Sequence, residues 1–392
     1  MNGDNLFSEA LMADPHKGYR KLRSAGPVHQ GLTPDGEPVW VITRYAEARE
    51  ALTDPRFSLD KANARTSGEY QSSMPPELDA HLLNMDAPDH TRLRSLVAKA
   101  FTPRRVEDLR PRIQHRVNKL IDSAPAPEAD LMAALAEPLP MTVICELLGI
   151  PAADRPNFRS WTNSLMSPRP GAAAESRAAM RSMHQFLIDV LARKRRHPTD
   201  DLLSALLASH DEHDQLTEAE LVSLSFLLLF AGYDNAVHLI GNAIAALLLR
   251  PQHITSLRTG ELSPRLVIEE TLRWNPPFPL GVRRFALENL TIGDAAIPAG
   301  GRIWVALISA NRDEAFFENP DDFNPHRVPA HLSFGHGTHY CLGAPLARLE
   351  AEITLTTLVR RRTRLALATQ PEELMWWPSF HKRGLRSLPV RW

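Results

Sequence analysis

The run from Leu221 to Leu249 constrains the fold more than any other stretch, because it is the longest apolar segment and almost uncharged. Such a segment must be enclosed, by a bilayer or by other protein. Asp234, Asn235, His238 and Asn242 interrupt it, and polar groups at that density predict a helix buried at the centre of a globular protein, not a membrane span. Asp234, His238 and Asn242 recur every four residues, so they form one polar ridge on an apolar rod. A buried carboxylate needs a partner. Asp234 is therefore either paired within the fold, with His238 the nearest candidate, or placed to move protons. Ala231 and Gly232 stand just before it. Glycine inside a helix costs about 1 kcal/mol against alanine, so Gly232 implies either the close approach of a flat ligand or a packing crossover.

Around this rod the pattern is mostly helical. Helices are predicted at residues 15–25, 45–52, 89–101, 112–121, 131–148, 265–274 and from 342 to about 362. Gly149 supplies a stop, and the helical region 151–200 is interrupted by the sequence SPRPG at 167–171. Short strands are expected at 39–42 and within 283–305, with a proline-punctuated coil from Asn311 to Pro329 and a few strand-like pieces near the C-terminal end. Residues 55–88 show little periodicity and read as a functional or mobile loop. With no repeat or linker and 43% hydrophobic residues, the economical reading is one mainly α domain with small β-sheets over 1–392. The net charge of −1 gives no bulk attraction to nucleic acid or an anionic membrane. Two cysteines, Cys145 and Cys341, exclude a disulfide framework and suit a reducing cytoplasm. The N-terminal sequence has no apolar core, so no signal peptide or anchor is expected.

Chemistry concentrates in Phe334–Arg348, FGHGTHYCLGAPLAR. Gly335 and Gly337 permit a tight turn, and Pro345 suits the first turn of a helix. Cys341 thus stands just before a helix start, where the dipole and unpaired N–H groups favour a thiolate. His336, His339 and Cys341 would be a cramped zinc half-site; a cysteine nucleophile would take His339 as its base, yet nothing builds an oxyanion site. A thiolate holding haem iron is the third option. Cys145, within VICELLG, reads as core. Glu270 and Arg273 form E-x-x-R, one face of a helix, either a surface ion pair or a buried one.

Taken in chain order, the glycine–acid pair of the long helix, the E-x-x-R, the coil NRD…FFENPDDFNPHR and the FGHGTHYCLG signature resemble a soluble bacterial cytochrome P-450 over nearly the whole length. The resemblance implies a triangular fold with haem b between the long central helix, at Ala231, and the cysteine-loop helix. Cys341 would be the iron ligand, with Phe334 beside the sulfur and the Gly343 backbone N–H moderating its charge. His90, Arg94, Arg284 and His339 would hold the haem propionates. Glu270, Arg273 and Arg327 would form a structural cluster behind the thiolate loop. The family usually has threonine after the acid, where this chain has Asn235. Asp234 and Asn235 would then supply protons, Asn235 by holding a water or a polar group of the substrate.

The resemblance also implies a hydrophobic secondary metabolite lying against Leu82, Leu83, Met85, Leu227, Phe230, Ala231, Leu280, Val282 and Phe380. The implied reaction is hydroxylation or epoxidation; the alternatives are oxidative coupling without oxygen insertion and a non-catalytic haem-thiolate sensor. Electrons would come from NAD(P)H through a ferredoxin reductase and a ferredoxin, because no flavin or iron–sulfur motif is present. Arg92, Lys99, Arg104, Arg105 and Arg360–Arg362 would form a basic docking face on a monomer.

Overall fold

Capping and burial explain where the central rod begins and why it breaks. The computed structural model describes residues 6–34, 36–64, 76–99, 101–166, 173–213, 216–328 and 330–392. The side chain of Thr217 accepts the N–H of Glu220, and that of Glu220 accepts the N–H of Thr217, a reciprocal cap that starts helix Glu218–Ala231. The chain turns at Gly232 and Tyr233 before resuming as helix Asp234–Leu248. One continuous rod was expected; the structure has two stacked helices. A β-carbon at Gly232 would lie 2.7 Å from Ile144 Cδ1 and 2.7 Å from the Leu228 carbonyl oxygen, so the glycine serves a close crossing with helix Pro138–Leu147. By composition and length Glu218–Leu248 could cross a bilayer, but most of it is enclosed by protein, as its polar ridge predicts. In Asp234–Leu248 every residue except Asn235 is buried.

Helices Arg110–Ser123, Pro138–Leu147, Pro264–Trp274 and Ala344–Arg361 pack around or beside this rod and share one large apolar core with it. The predicted helix over 131–148 is split, with a wide π-type turn at Met132–Ala136 preceding the regular helix. That turn sits against Gly241, where a β-carbon would meet Met132 Sδ at 2.5 Å. Gly149, at φ +65°, ends the second piece. Helices Arg155–Met166 and Ala173–Arg196 flank the predicted SPRPG interruption, which lies outside the described residues, as do residues 65–75 of the expected 55–88 loop; the rest of that loop carries a two-residue strand at Phe57–Ser58 and short helical turns at Lys61–Asn63 and Pro76–Asp79.

The β structure is small, as expected. Strands β1 (Val28–Leu32), β2 (Pro38–Ile42), β3 (Phe57–Ser58), β5 (Arg284–Ala286) and β8 (Arg302–Val305) form a sheet in the order β1-β2-β8-β5-β3. Only the β2–β8 pairing is parallel, with Val39 opposite Arg302 and Ile42 opposite Val305. Its apolar face, with Trp40, Ile42, Phe57 and Ile303, makes a second core with helix Tyr45–Ala51. Strands β6 (Leu290–Ile292) and β7 (Ala295–Ile297) form a hairpin. Strands β4 (Glu128–Asp130), β9 (Ala366–Leu367) and β10 (Pro389–Arg391) form a third sheet with β10 in the middle.

Candidate active site

The loop before Cys341 is shaped by two left-handed glycines, Gly335 at φ +75° and Gly337 at φ +74°. A side chain at Gly337 would also collide with Thr53 Cγ2, 2.8 Å from the β-carbon position. The loop closes on itself when the Cys341 N–H donates to the Phe334 carbonyl at 2.9 Å. Backbone N–H groups of Gly343 and Ala344 then point at the sulfur from the start of helix Ala344–Arg361.

Cys341 is exposed by area, yet the protein density around its sulfur is that of an interior, and the latter governs its acidity. Burial pushes the thiol above its ordinary value, and the Gly343 and Ala344 N–H groups, Arg94 and Arg348 reduce that rise without reversing it. The expectation that the helix start alone would favour a thiolate is thus corrected: desolvation wins. A further positive charge, such as a coordinated metal ion, is what would fix the thiolate. Among the described residues no three histidine, cysteine or acidic side chains group as metal ligands, so His336 and His339 do not form a zinc site with Cys341. Cys145 is fully buried, with its thiol pushed up to about 12 by desolvation and its sulfur 3.9 Å from Met141 Sδ, as a core residue should be.

Four basic side chains converge beside this loop. The rings of His90 and His339 lie 3.9 Å apart. Arg94 donates to the Tyr340 carbonyl at 2.6 Å, and Arg284 donates to the carbonyls of Val282 and Leu52 at 3.2 and 3.4 Å. Burial holds Arg284 down at about 10, and burial together with His90 and Arg284 brings His339 down to about 3. Burial and Arg94 likewise lower His90. Asp86 is the acid that acts on His90, Arg284 and His339, whereas Arg94 interacts with Cys341; the Asp86 oxygens already accept from Ser58 Oγ and the Leu59 N–H. So much buried basicity opposite one engaged carboxylate fits a ligand carrying carboxylates of its own. A thiol at a helix start and a nearby cationic cradle together fit haem.

At the break in the rod, Ala231 is exposed, Asn235 half-buried and Asp234 buried. Asp234 Oδ2 lies 3.5 Å from His238 Nε2. Burial pushes this carboxyl up, but His238 and Lys382 outweigh it and hold the acid below its ordinary value. The two side chains therefore face each other within ion-pair reach without a formed hydrogen bond, and the contact favours the ionised acid. Asn235 Oδ1 is buried with no hydrogen-bond partner. Gly232, by contrast, answers the question its position raised: it serves the crossing with Ile144, not a flat ligand.

The E-x-x-R pair is buried, not superficial. Arg273 Nε and Nη2 donate to both Glu270 oxygens at 2.8 and 2.7 Å, and its guanidinium also donates to the carbonyls of Asn311, Pro320 and Asp322. Arg327 Nε stands 3.7 Å from Glu270. These three tie the proline-rich coil to helix Pro264–Trp274.

Of the expected substrate contacts, Leu82, Leu83, Met85, Leu227 and Phe230 belong to or pack on the main core, and Phe230 stacks on Phe226 at 5.3 Å. Val282 is half-buried beside Arg284. Leu280 and Phe380 belong to a different apolar cluster, with Leu6, Tyr19 and Trp304. The N-terminal segment draws them there: Phe7 meets Phe380 edge-on at 5.1 Å, which the sequence pattern alone did not reveal. The expected basic face is also thinner than the sequence implied. Arg92 is paired with Glu220 and Asp89, Arg361 with Asp122, and Arg362 donates to the Ile121 carbonyl. Lys99, Arg104, Arg105 and Arg360 are exposed. Sequence reasoning missed Glu269, Arg348 and His331, which cluster beside Phe334, Arg348 ion-paired to Glu269 and His331 hydrogen-bonded to it. The one signal was the consecutive acids Glu269-Glu270, which on a helix must point about 100° apart and so need separate partners.

The family model described as Cytochrome P450 matches residues 265–379. The chain is 44% identical to cytochrome P450 monooxygenase PikC of Streptomyces venezuelae, over 98% of this chain and 93% of that protein. It is 39% identical to mycinamicin IV hydroxylase/epoxidase of Micromonospora griseorubida, over 95% of this chain and 94% of that protein. A crystal structure of myxobacterial cytochrome P450 CYP267B1 in complex with myristic acid superimposes with a TM-score of 0.93 at 37% identity, covering 98% of each chain. Likeness at this level across the length, joined to a buried E-x-x-R and a cysteine loop beside a cationic cradle, makes this chain a member of the cytochrome P450 family, a monooxygenase with that family's predominantly helical fold.

Proposed function

We propose that the chain, folded as one domain, hydroxylates or epoxidises a hydrophobic polyketide-type secondary metabolite, using haem b and electrons passed from NAD(P)H through a ferredoxin reductase and a ferredoxin. The observation that carries the assignment of the site is the meeting of the Cys341 sulfur, aimed at by two backbone N–H groups, with four basic side chains, three of which share one engaged acid while Arg94 acts on the sulfur itself. When bound, haem supplies the activation of dioxygen. Cys341 holds the iron, and the Gly343 and Ala344 N–H groups spread the sulfur charge. His90, Arg94, Arg284 and His339 receive the propionates through charge-assisted bonds.

Asp234, ionised beside His238, takes up a proton from the solvent side and hands it inward. The amide of Asn235 orients the water or substrate group that receives it, because an amide donates and accepts hydrogen bonds but relays protons poorly. Leu82, Leu83, Met85, Leu227 and Phe230 offer an apolar wall that orients substrate and excludes water. Leu280 and Phe380 shape the site through the N-terminal cluster. The hydroxylase relatives favour oxygen insertion over oxidative coupling or a sensor role. Lys99, Arg104, Arg105 and Arg360 are the cations free to meet an acidic ferredoxin on a cytoplasmic monomer.

The reduced protein under carbon monoxide should show a strongly red-shifted Soret band, absent in Cys341→Ser. A wild-type protein lacking that band would overturn the assignment of Cys341. Asn235→Ala should lower product formed per NADH consumed; unchanged coupling would remove the amide from proton delivery.

A further inference from the structure

Glu269 and Glu270 are neighbours on helix Pro264–Trp274, and both are buried, yet they serve different partners. Glu269 receives Arg348 through two bonds, Nε at 2.5 Å and Nη2 at 2.9 Å, and it also receives His331 Nε2 at 3.0 Å. The protonation of His331 follows from its other nitrogen: Nδ1 accepts the Ser333 N–H at 3.2 Å, so the ring proton is on Nε2 and the imidazole is neutral. The cluster is therefore one negative and one positive charge. Arg348 has no freedom left. Its Nη1 donates to the Tyr340 hydroxyl at 3.1 Å, and its guanidinium carbon lies 4.6 Å from the centre of the Phe334 ring. Phe334 in turn accepts the Cys341 N–H through its carbonyl, so the cation is fixed against both ends of the loop that carries the sulfur.

We propose that Arg348 is a positioning residue for the thiolate, clamped by Glu269 and His331 so that a fixed cation backed by a fixed anion sets the field at the Cys341 sulfur. The field sets the reduction potential of iron bound there. Unlike the Glu270–Arg273 pair, which ties the coil to its helix, this cluster acts on the loop itself. The inference rests on Cys341 being the iron ligand.

The sign of the effect depends on which charge is removed. Neutralising Glu269 leaves Arg348 unopposed and favours the more negative, reduced state; removing Arg348 leaves Glu269 and does the reverse. The test is spectroelectrochemical titration of the substrate-free holoenzyme in wild type, Glu269→Gln, Arg348→Met and the double variant. Glu269→Gln, which keeps the shape of the side chain, should raise the potential, shifting the reduced-to-oxidised ratio at fixed voltage by about threefold to tenfold. Tenfold corresponds to about 59 mV for a one-electron couple. Arg348→Met should lower the potential, and the double variant should return toward wild type. Resonance Raman should show the iron–sulfur stretch moving in opposite directions in the two single variants. Unchanged potential and stretch in Glu269→Gln, with only thermal stability reduced, would overturn the proposal. If the wild-type carbon monoxide spectrum lacks the thiolate band, the ligand assignment has failed instead, and the two failures are told apart before any variant is titrated.

Discussion

Deleting the guanidinium of Arg273 strands Glu270 as a carboxylate that is only 4% exposed. Its remaining partners would be the Asn324 N–H at 2.8 Å and the distant Arg327. Breaking one side of a buried ion pair costs about 3–5 kcal/mol, so Arg273→Met should lose stability on that scale in chemical unfolding of the holoenzyme. The loss should come with haem release, because the coil held by Arg273 leads into the cysteine loop. The two cysteines offer a second contrast. Cys145, at about 12, stays a thiol at neutral pH and should resist alkylation until the protein unfolds, whereas Cys341, accessible but held as a thiol by desolvation, should react in protein stripped of haem faster than Cys145 and slower than a free thiol. At this scale the sequence is most readable where spacing carries the information. E-x-x-R and the glycines around Cys341 each implied a local geometry that the structure contains. The net acidity of Cys341 was not readable, because desolvation depends on residues far away in the chain.

Among the elements, helix Ala344–Arg361 holds a buried carboxyl that has no charged partner. Burial alone raises Glu350 to about 8, and its Oε2 has no hydrogen-bond partner. The unfolded chain releases this proton near the ordinary glutamate value while the folded one keeps it, so stability is greatest at low pH by this group and declines until pH passes about 8. Glu350→Gln should flatten that decline and stabilise the protein by about 1–3 kcal/mol at pH 8, as measured by denaturant midpoints at pH 5 and 8. At the crossing of the central rod, Gly232→Ala would drive a methyl into Ile144 and the Leu228 carbonyl. That overpacking should cost about 1–3 kcal/mol, partly recovered by Ile144→Val. Helix existence was legible from periodicity and caps. The break at Gly232-Tyr233 was not, because it is imposed by the packing of helix Pro138–Leu147.

Across the whole molecule, what the sequence conveyed well was class: a helical body, small sheets and an enclosed apolar centre. What it conveyed poorly were contacts between distant segments. Phe7 captures Phe380, Glu220 captures Arg92, and Asp122 captures Arg361, each across a long separation in sequence. These pairings trim both the expected substrate wall and the expected docking face, and no local pattern announces them. The third sheet is the extreme case. Strand β10 occupies its middle, between β4 and β9, and Leu388 adds bonds to Leu131 and Asp130. During synthesis β4 and β9 both emerge before the strand that must lie between them, and until it arrives each presents a bare edge. This sheet therefore closes only once residues 389–391 have left the ribosome, and a chain stalled before them would meet chaperones with two open seams.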